Sequence, residues 1–306
     1  MSRRRPEPVD GMPHRRVIRS LALVGALATA ATVLAGCAAP AAPAEEPLPD
    51  GLAVAIQQGR LDVVNGRLVV RFVNSGAEPV TVEGFEVETP TFAEGLERTK
   101  PFELGGGGDA IAIRLDLPES RCDAESGPVV VHVSTRTASG VEATGDLTAD
   151  DPFDTVARVN AEDCLAASVA DVAAIVLPEH LRSTGSGPDR RAFIDVTIEP
   201  VASGDTTMRI DRVYGTTLLN AEDGIDWTLG IDVAAGDPPL VLSLPVRPAR
   251  CDAHAIADDK RGTILPFEIE TGDGRAGRLD VPSDPGLKAE LYAYYGERCG
   301  LEAPAG

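Results

Sequence analysis

Arg121-Cys122-Asp123-Ala124 and Arg250-Cys251-Asp252-Ala253 are two copies of one phrase, and their surroundings agree as well. Each follows an apolar, strand-like run: Ala110-Ile111-Ala112-Ile113-Arg114-Leu115-Asp116-Leu117 before the first, Leu240-Val241-Leu242-Ser243-Leu244-Pro245 before the second. Each precedes two further extended runs, then an Asp-Pro pair (Asp151-Pro152, Asp284-Pro285), then a closing cysteine, Cys164 or Cys299. The cysteine spacing is 42 residues in the first copy and 48 in the second. A shared order of this length reads as an internal duplication. It divides the chain into domains at 53–166 and 168–300.

Strand signals dominate both halves. Leu68-Val69-Val70-Arg71-Phe72-Val73 runs into the turn Asn74-Ser75-Gly76, Val80 to Val87 alternates with period two around Gly84, and Val129 to Val133 is a further run. Phe193 to Ile198 and Ile264 to Ile269 play these parts in the second half, where Thr271-Gly272-Asp273-Gly274 reads as a hairpin turn. About six or seven short strands per half predict a mainly β chain of two similar antiparallel β-sandwich domains.

The end of each half reads as a short helix. Asp284 caps, Pro285 fits the first turn, and Leu287, Leu291, Tyr295 and Cys299 follow at i+4 spacing. In the first half Phe153, Ala157, Ala161 and Leu165 have that spacing, although alternation from Phe153 to Val159 leaves a strand as the alternative. Tyr295 lies on the apolar stripe, with Tyr292 and Tyr294 expected partly exposed. The repeat selects one of the three ways to pair four cysteines: Cys122–Cys164 and Cys251–Cys299, one bridge per domain. No Cys-x-x-Cys occurs, which argues against redox activity.

The chain has 306 residues, 43% hydrophobic and 25% charged, with a formal net charge of −20. That apolar content excludes wholesale disorder, and the acidity argues against nucleic-acid binding, which needs basic patches against phosphates. The charge is uneven. Residues 1–36 carry Arg3, Arg4, Arg5, Arg15, Arg16 and Arg19 against Glu7 and Asp10, so removing them would leave a still more acidic chain. An uncharged run from Leu21 to Gly36 follows, too short for an ordinary spanning helix of about 20 residues. It ends Leu34-Ala35-Gly36-Cys37, which resembles the lipobox of bacterial lipoprotein precursors.

That resemblance makes 1–36 a signal peptide and implies a thioether-linked diacylglycerol on Cys37, cleavage before it, and palmitate-type acylation of the new N-terminus. An ordinary cleaved signal peptide is the alternative. His14-Arg15-Arg16-Val17-Ile18-Arg19 leaves twin-arginine export open beside the general route, and Met12 is an alternative start to Met1. Residues 37–52 are a Pro/Ala-rich tether with Pro40, Pro43, Pro47 and Pro49. Residues 301–306 are expected to be a disordered tail. The strand pattern also resembles immunoglobulin-like envelope modules in architecture, without their usual buried Trp and cysteine placement. The mature part is loosely similar to lipoproteins of high-GC Gram-positive bacteria with tandem immunoglobulin-like modules, a likeness that brings no activity with it.

No catalytic motif is found: no Gly-x-Ser-x-Gly elbow, His-Glu-x-x-His, P-loop or EF-hand loop. Gly105-Gly106-Gly107-Gly108 reads as a flexible turn. One loop concentrates titratable groups: Cys251-Asp252-Ala253-His254-Ala255-Ile256-Ala257-Asp258-Asp259-Lys260-Arg261-Gly262. His254, Asp258, Asp259 and Lys260 there are candidate ligands for a metal or an anion, set against simple capping and salt-bridge roles on a solvated loop. The acidic residues bind calcium or merely keep the surface soluble. No cofactor is expected. The expected protein is a lipid-anchored, extracytoplasmic envelope protein at the cell membrane, serving as a binding or interaction module with an envelope protein as partner. Alternatives are a solute-binding lipoprotein of a transporter and a secreted hydrolase or metal-dependent enzyme.

Overall fold

A computed structural model describes residues 46–252, 254, 256, 259 and 261–301. The leader, Cys37, Asp258, Lys260 and the tail beyond Leu301 lie outside them. Among the described residues no helix is long and apolar enough to cross a membrane.

The first half alternates inward apolar and outward polar side chains, and its strands pair accordingly. Strands β1 (Leu52–Gln57), β2 (Arg67–Asn74) and β6 (Asp109–Asp116) form one antiparallel sheet. Strands β4 (Leu96–Arg98), β3 (Val80–Glu88), β7 (Val130–Thr137) and β8 (Glu142–Thr148) form the facing sheet in that order, with β5 (Phe102–Leu104) also on β3. Ile56, Leu68, Val70 and Phe72 from one sheet meet Val82, Phe85, Val87, Val131 and Val133 from the other in one buried cluster. At its centre the Phe72 and Phe85 rings lie 4.9 Å apart, with Phe102 at 5.5 Å from Phe72.

The second half repeats this wiring. Strands β11 (Arg191–Pro200) and β15 (Leu240–Pro248) pair as β2 and β6 do, flanked by β9 (Ala173–Val176), β10 (Arg182–Thr184) and β13 (Leu219–Ala221). The facing sheet runs β14 (Trp227–Ala234), β12 (Thr207–Val213), β16 (Ile264–Thr271), β17 (Ala276–Pro282). A register shift falls between Val82 and Gly84 on β3 and, at the corresponding place, between Ile210 and Arg212 on β12. Each bulge re-aims its strand at that point. The Thr271–Gly274 turn forms as expected, with Gly274 at φ +86. Trp227, not assigned to a core by the sequence, is buried and donates its indole N–H to Pro245 O at 2.7 Å.

Both disulfides join the cysteines that the repeat pairs: Cys122–Cys164 and Cys251–Cys299. A helix closes each half, α2 (Thr155–Ala170) and α3 (Pro285–Arg298), after the short α1 (Arg60–Val64). Asp284 accepts the Leu287 N–H at 2.8 Å, as a capping residue should. In α2 the equivalent cap comes from Asp151, whose two oxygens accept from Thr155 N and Val156 N at 2.8 and 2.9 Å. Asp284→Ala is expected to cost about 1 kcal/mol, read as a shift of the urea midpoint at unchanged slope.

Several expectations are corrected. Of the expected stripe Phe153, Ala157, Ala161 and Leu165, only Leu165 is buried, with Phe153 73% exposed; α2 buries Val156, Val159, Cys164 and Val169 beside it. The valines and Leu165 present more apolar area than alanine, and the Cys164 bond turns that side inward. Tyr294 is fully buried beside Tyr295, because Leu287, Leu291, Tyr294 and Tyr295 make one helical face. The Gly105–Gly108 turn is docked, not free: the N–H groups of Gly107 and Gly108 donate to Gly76 O and Asn74 O, both at 2.7 Å. Leu48 already packs on the first core, and Leu301 on the second. The boundary at 166–168 falls inside α2, whose two ends belong to different cores: Val156 to the first, Leu165 and Val169 to the second.

Candidate functional site

The loop 251–262 is where the sequence points first. His254 projects into solvent with its side chain 91% exposed, its Nδ1 3.3 Å from Asp252 Oδ1. The His254 backbone N–H donates to the same oxygen at 3.0 Å and, as the leading cause, holds Asp252 below the usual carboxylate range. Asp259 turns the other way. Its Oδ2 accepts from the Tyr292 hydroxyl at 2.8 Å and its Oδ1 from Gly262 N–H at 2.7 Å. Burial, aided by the Asp259 bond, pushes the Tyr292 phenol up. Asp259 thus ties the loop to α3, and His254 and Asp259 do not share partners. Among the described residues no group of three His, Cys, Asp or Glu side chains is placed to hold a metal.

A more concentrated arrangement lies on the outer face of the β4-β3-β7-β8 sheet. Period two puts Glu86 and Glu88 of β3, His132 and Ser134 of β7, and Thr144 and Asp146 of β8 on the face opposite the core. Register then lines them up. Glu86 sits opposite Glu97 on β4 and opposite His132 on β7, and His132 sits opposite Asp146 on β8. The result is one transverse row, Glu97–Glu86–His132–Asp146, along a groove of about 650 Å³ that Arg98, Thr99 and Thr144 also line.

His132 is the centre of the row. Its Nδ1 lies 2.6 Å from Asp146 Oδ1 and its Nε2 2.9 Å from Glu88 Oε2. Two carboxylates on two ring nitrogens favour the doubly protonated ring, and the Glu88 bond, then the Asp146 bond, raise its pKa. With both nitrogens taken, the ring is not aimed at a nucleophile. Glu86 and Glu97 are like charges directly opposite, an unfavourable pairing. Glu86 relieves it by folding over Gly95, where a Cβ would come within 2.1 Å of its Oε1. The face is therefore a set of carboxylates held around one imidazole, with Arg98 at its edge, fit to bind hydrogen-bond donors by contact.

The second sandwich does not repeat this chemistry. After the same bulge its row reads Tyr214, Pro266, Asp280. No sequence motif marks the first row, because its members come from four strands and meet only through register. Alternation alone gives Glu86, Glu88 and His132 as outward residues; the pairing cannot be read from it.

In a pH titration followed by NMR, the His132 ring is expected to titrate above the ordinary 6.5, and Glu88→Gln to lower its midpoint. The sign follows from a raised folded-state pKa. The contribution to stability is complete below pH 6.5 and fades as pH rises through the raised value. A midpoint at or below 6.5 in the wild type would remove the carboxylate clamp from the account.

No family model matches the chain, and no curated protein matches it. Solved structures are similar to the chain only at a low level. Red sea bream transglutaminase is 10% identical with a TM-score of 0.22, over 77% of this chain and 32% of that one. The exo-chitosanase CsxA of Amycolatopsis orientalis is 13% identical with a TM-score of 0.20, over 75% and 26%. The YadV chaperone is 15% identical with a TM-score of 0.21, over 74% and 99%. This chain thus spans about a third or less of the first two proteins. At these scores none of the three informs function.

Proposed function

We propose that the chain is a lipid-anchored, extracytoplasmic envelope protein that works by binding, with the outer β4-β3-β7-β8 face of the first sandwich as its contact surface. What carries the reading is the use of the cysteines. The four beyond Cys37 are committed to two bonds, one per sandwich, and such bonds persist in oxidising compartments outside the cytoplasm. Cys37 stands apart, at the end of Leu34-Ala35-Gly36-Cys37 behind a basic, then apolar leader. A short proline-rich tether after it would hold the first sandwich at about 40 Å or less from the bilayer. The mature net charge, −20 less the +4 of the leader, opposes adsorption to an anionic surface, and a lipid supplies the attachment that charge would deny.

The test is metabolic labelling with an alkyne-tagged palmitate in a bacterium that processes lipoproteins. Wild-type chain takes up label and sediments with membranes; Cys37→Ser takes up none and appears in the soluble fraction. Unlabelled wild-type chain would overturn the anchor. For the contact surface, crosslinking on intact cells is expected to return a stoichiometric protein that Glu88→Lys/Asp146→Lys fails to capture. Equal capture by that variant would move the surface elsewhere.

A further inference from the structure

We propose that the segment Ser120–Cys122 is a keystone that locks the two sandwiches into one rigid body, with the Cys122–Cys164 bond holding it in place. The bond looks, from the repeat, like a staple within the first domain, matched to Cys251–Cys299 in the second. Its surroundings differ. Cys164 lies on α2, and α2 is one continuous helix that starts in the first core with Val156 and ends in the second with Leu165 and Val169. There is no linker between the sandwiches to flex. Relative motion must either break the helix or lift one end of it out of a core and expose buried Leu or Val side chains to water.

The keystone ties the middle of that helix to the first sandwich. Ser120 Oγ donates to Asp163 Oδ2 at 2.7 Å, Asn160 Nδ2 donates to Arg121 O at 3.0 Å, and Cys122 is bonded to Cys164. The segment is itself held on the sandwich by Arg121 N–H to Thr91 O at 2.8 Å. The second sandwich then reaches it directly: Arg275, in the β16–β17 turn, donates from Nη2 to Cys122 O at 2.6 Å. Asp273 orients that guanidinium, accepting from Arg275 Nε at 3.1 Å. Thr271 is the chief cause that holds Asp273 down at about 2, so this anchor stays charged through neutral and mildly acidic pH. One helix, one bond and one arginine thus meet at three consecutive residues. The consequence is a fixed angle between the sandwiches, and the outer face with His132 is presented in a set direction to whatever it meets. The inference rests on these contacts and not on the lipid anchor.

Amide hydrogen exchange on the full chain, read by mass spectrometry, tests it. Cys122→Ala/Cys164→Ala is expected to speed exchange about tenfold in residues 155–170 and 271–276, while β11 and β16 stay protected. Cys251→Ala/Cys299→Ala should loosen α3 and the strands inside the loop it closes, and leave 119–124 and 155–160, which belong to the first sandwich, as in wild type. Faster exchange confined to 119–128, with the C-terminal half of α2 and the 271–276 turn as in wild type, would overturn the proposal: the bond would then serve the first sandwich alone. If the first variant loses protection throughout, Arg275→Ala decides, since it keeps both bonds. About threefold faster exchange in 119–124, on the other sandwich, supports the keystone; unchanged exchange there sinks it.

Discussion

Replacing both cysteines of the second bond, Cys251→Ala/Cys299→Ala, is expected to destabilise the second sandwich by about 4 kcal/mol. The bond closes a loop of 48 residues that holds β16, β17 and α3, and in the chain-entropy model a loop of that size frees much of the unfolded chain's disorder when opened. Against a typical domain stability of about 5–15 kcal/mol, this is a large fraction. Calorimetry of the full chain should show the transition of the second sandwich lowered by roughly 10–20 °C. The native contacts that the bond accompanies stay in place in the variant: Tyr295 OH to Arg250 O, and Asp252 N–H to Tyr295 OH at 3.2 Å. A fall of only a few degrees would mean that these contacts, and not the crosslink, hold α3 down.

Tyr294→Ala carries the other large effect, about 3–5 kcal/mol. The ring has no exposed surface, and its hydroxyl donates to Val246 O at 2.6 Å inside the core. Removing it opens a cavity between α3 and β15 that neither element can close, since β15 is pinned on both sides by β11 and β13. Tyr294→Phe separates the terms. It keeps the volume and loses one hydrogen bond, and Val246 lies within the β15 ladder, so the expected cost is about 1 kcal/mol. Urea unfolding at constant slope measures both. Equal costs for Phe and Ala would show that the hydroxyl, not the ring, matters at this position.

The Tyr294 result bears on how far the chain can be read without coordinates. Leu287, Leu291 and Tyr295 are legible as a stripe because i+4 spacing is local. Tyr294 is adjacent to that stripe at i+7 from Leu287, and only the width of the facing sheet decides whether the stripe takes in one more column. The same limit produces the misreading of α2. Phe153, Ala157 and Ala161 have helical spacing with Leu165, but two cores and a disulfide, all set by distant residues, keep Leu165 and replace the others with Val156 and Val159. The alternation of β3 and β7 is likewise visible residue by residue. That His132 falls between Glu88 and Asp146 depends on a bulge between Val82 and Gly84, and a one-residue slip would place other side chains beside it.

Local chemistry and order along the chain were enough for the sandwich class, the two bonds and the turn at Thr271–Gly274. Each rests on short-range signals: period-two alternation, glycine where φ is positive, and a cysteine order that repeats. Tertiary structure alone decided three things: that α2 is shared between both cores, that Asp259 is spent on Tyr292 while His254 stands in solvent, and that four strands assemble the Glu97–Glu86–His132–Asp146 row. The physical reason is the same in each case. Burial and cross-strand pairing are set by residues far apart in sequence, and a local pattern says which faces exist without saying what they face.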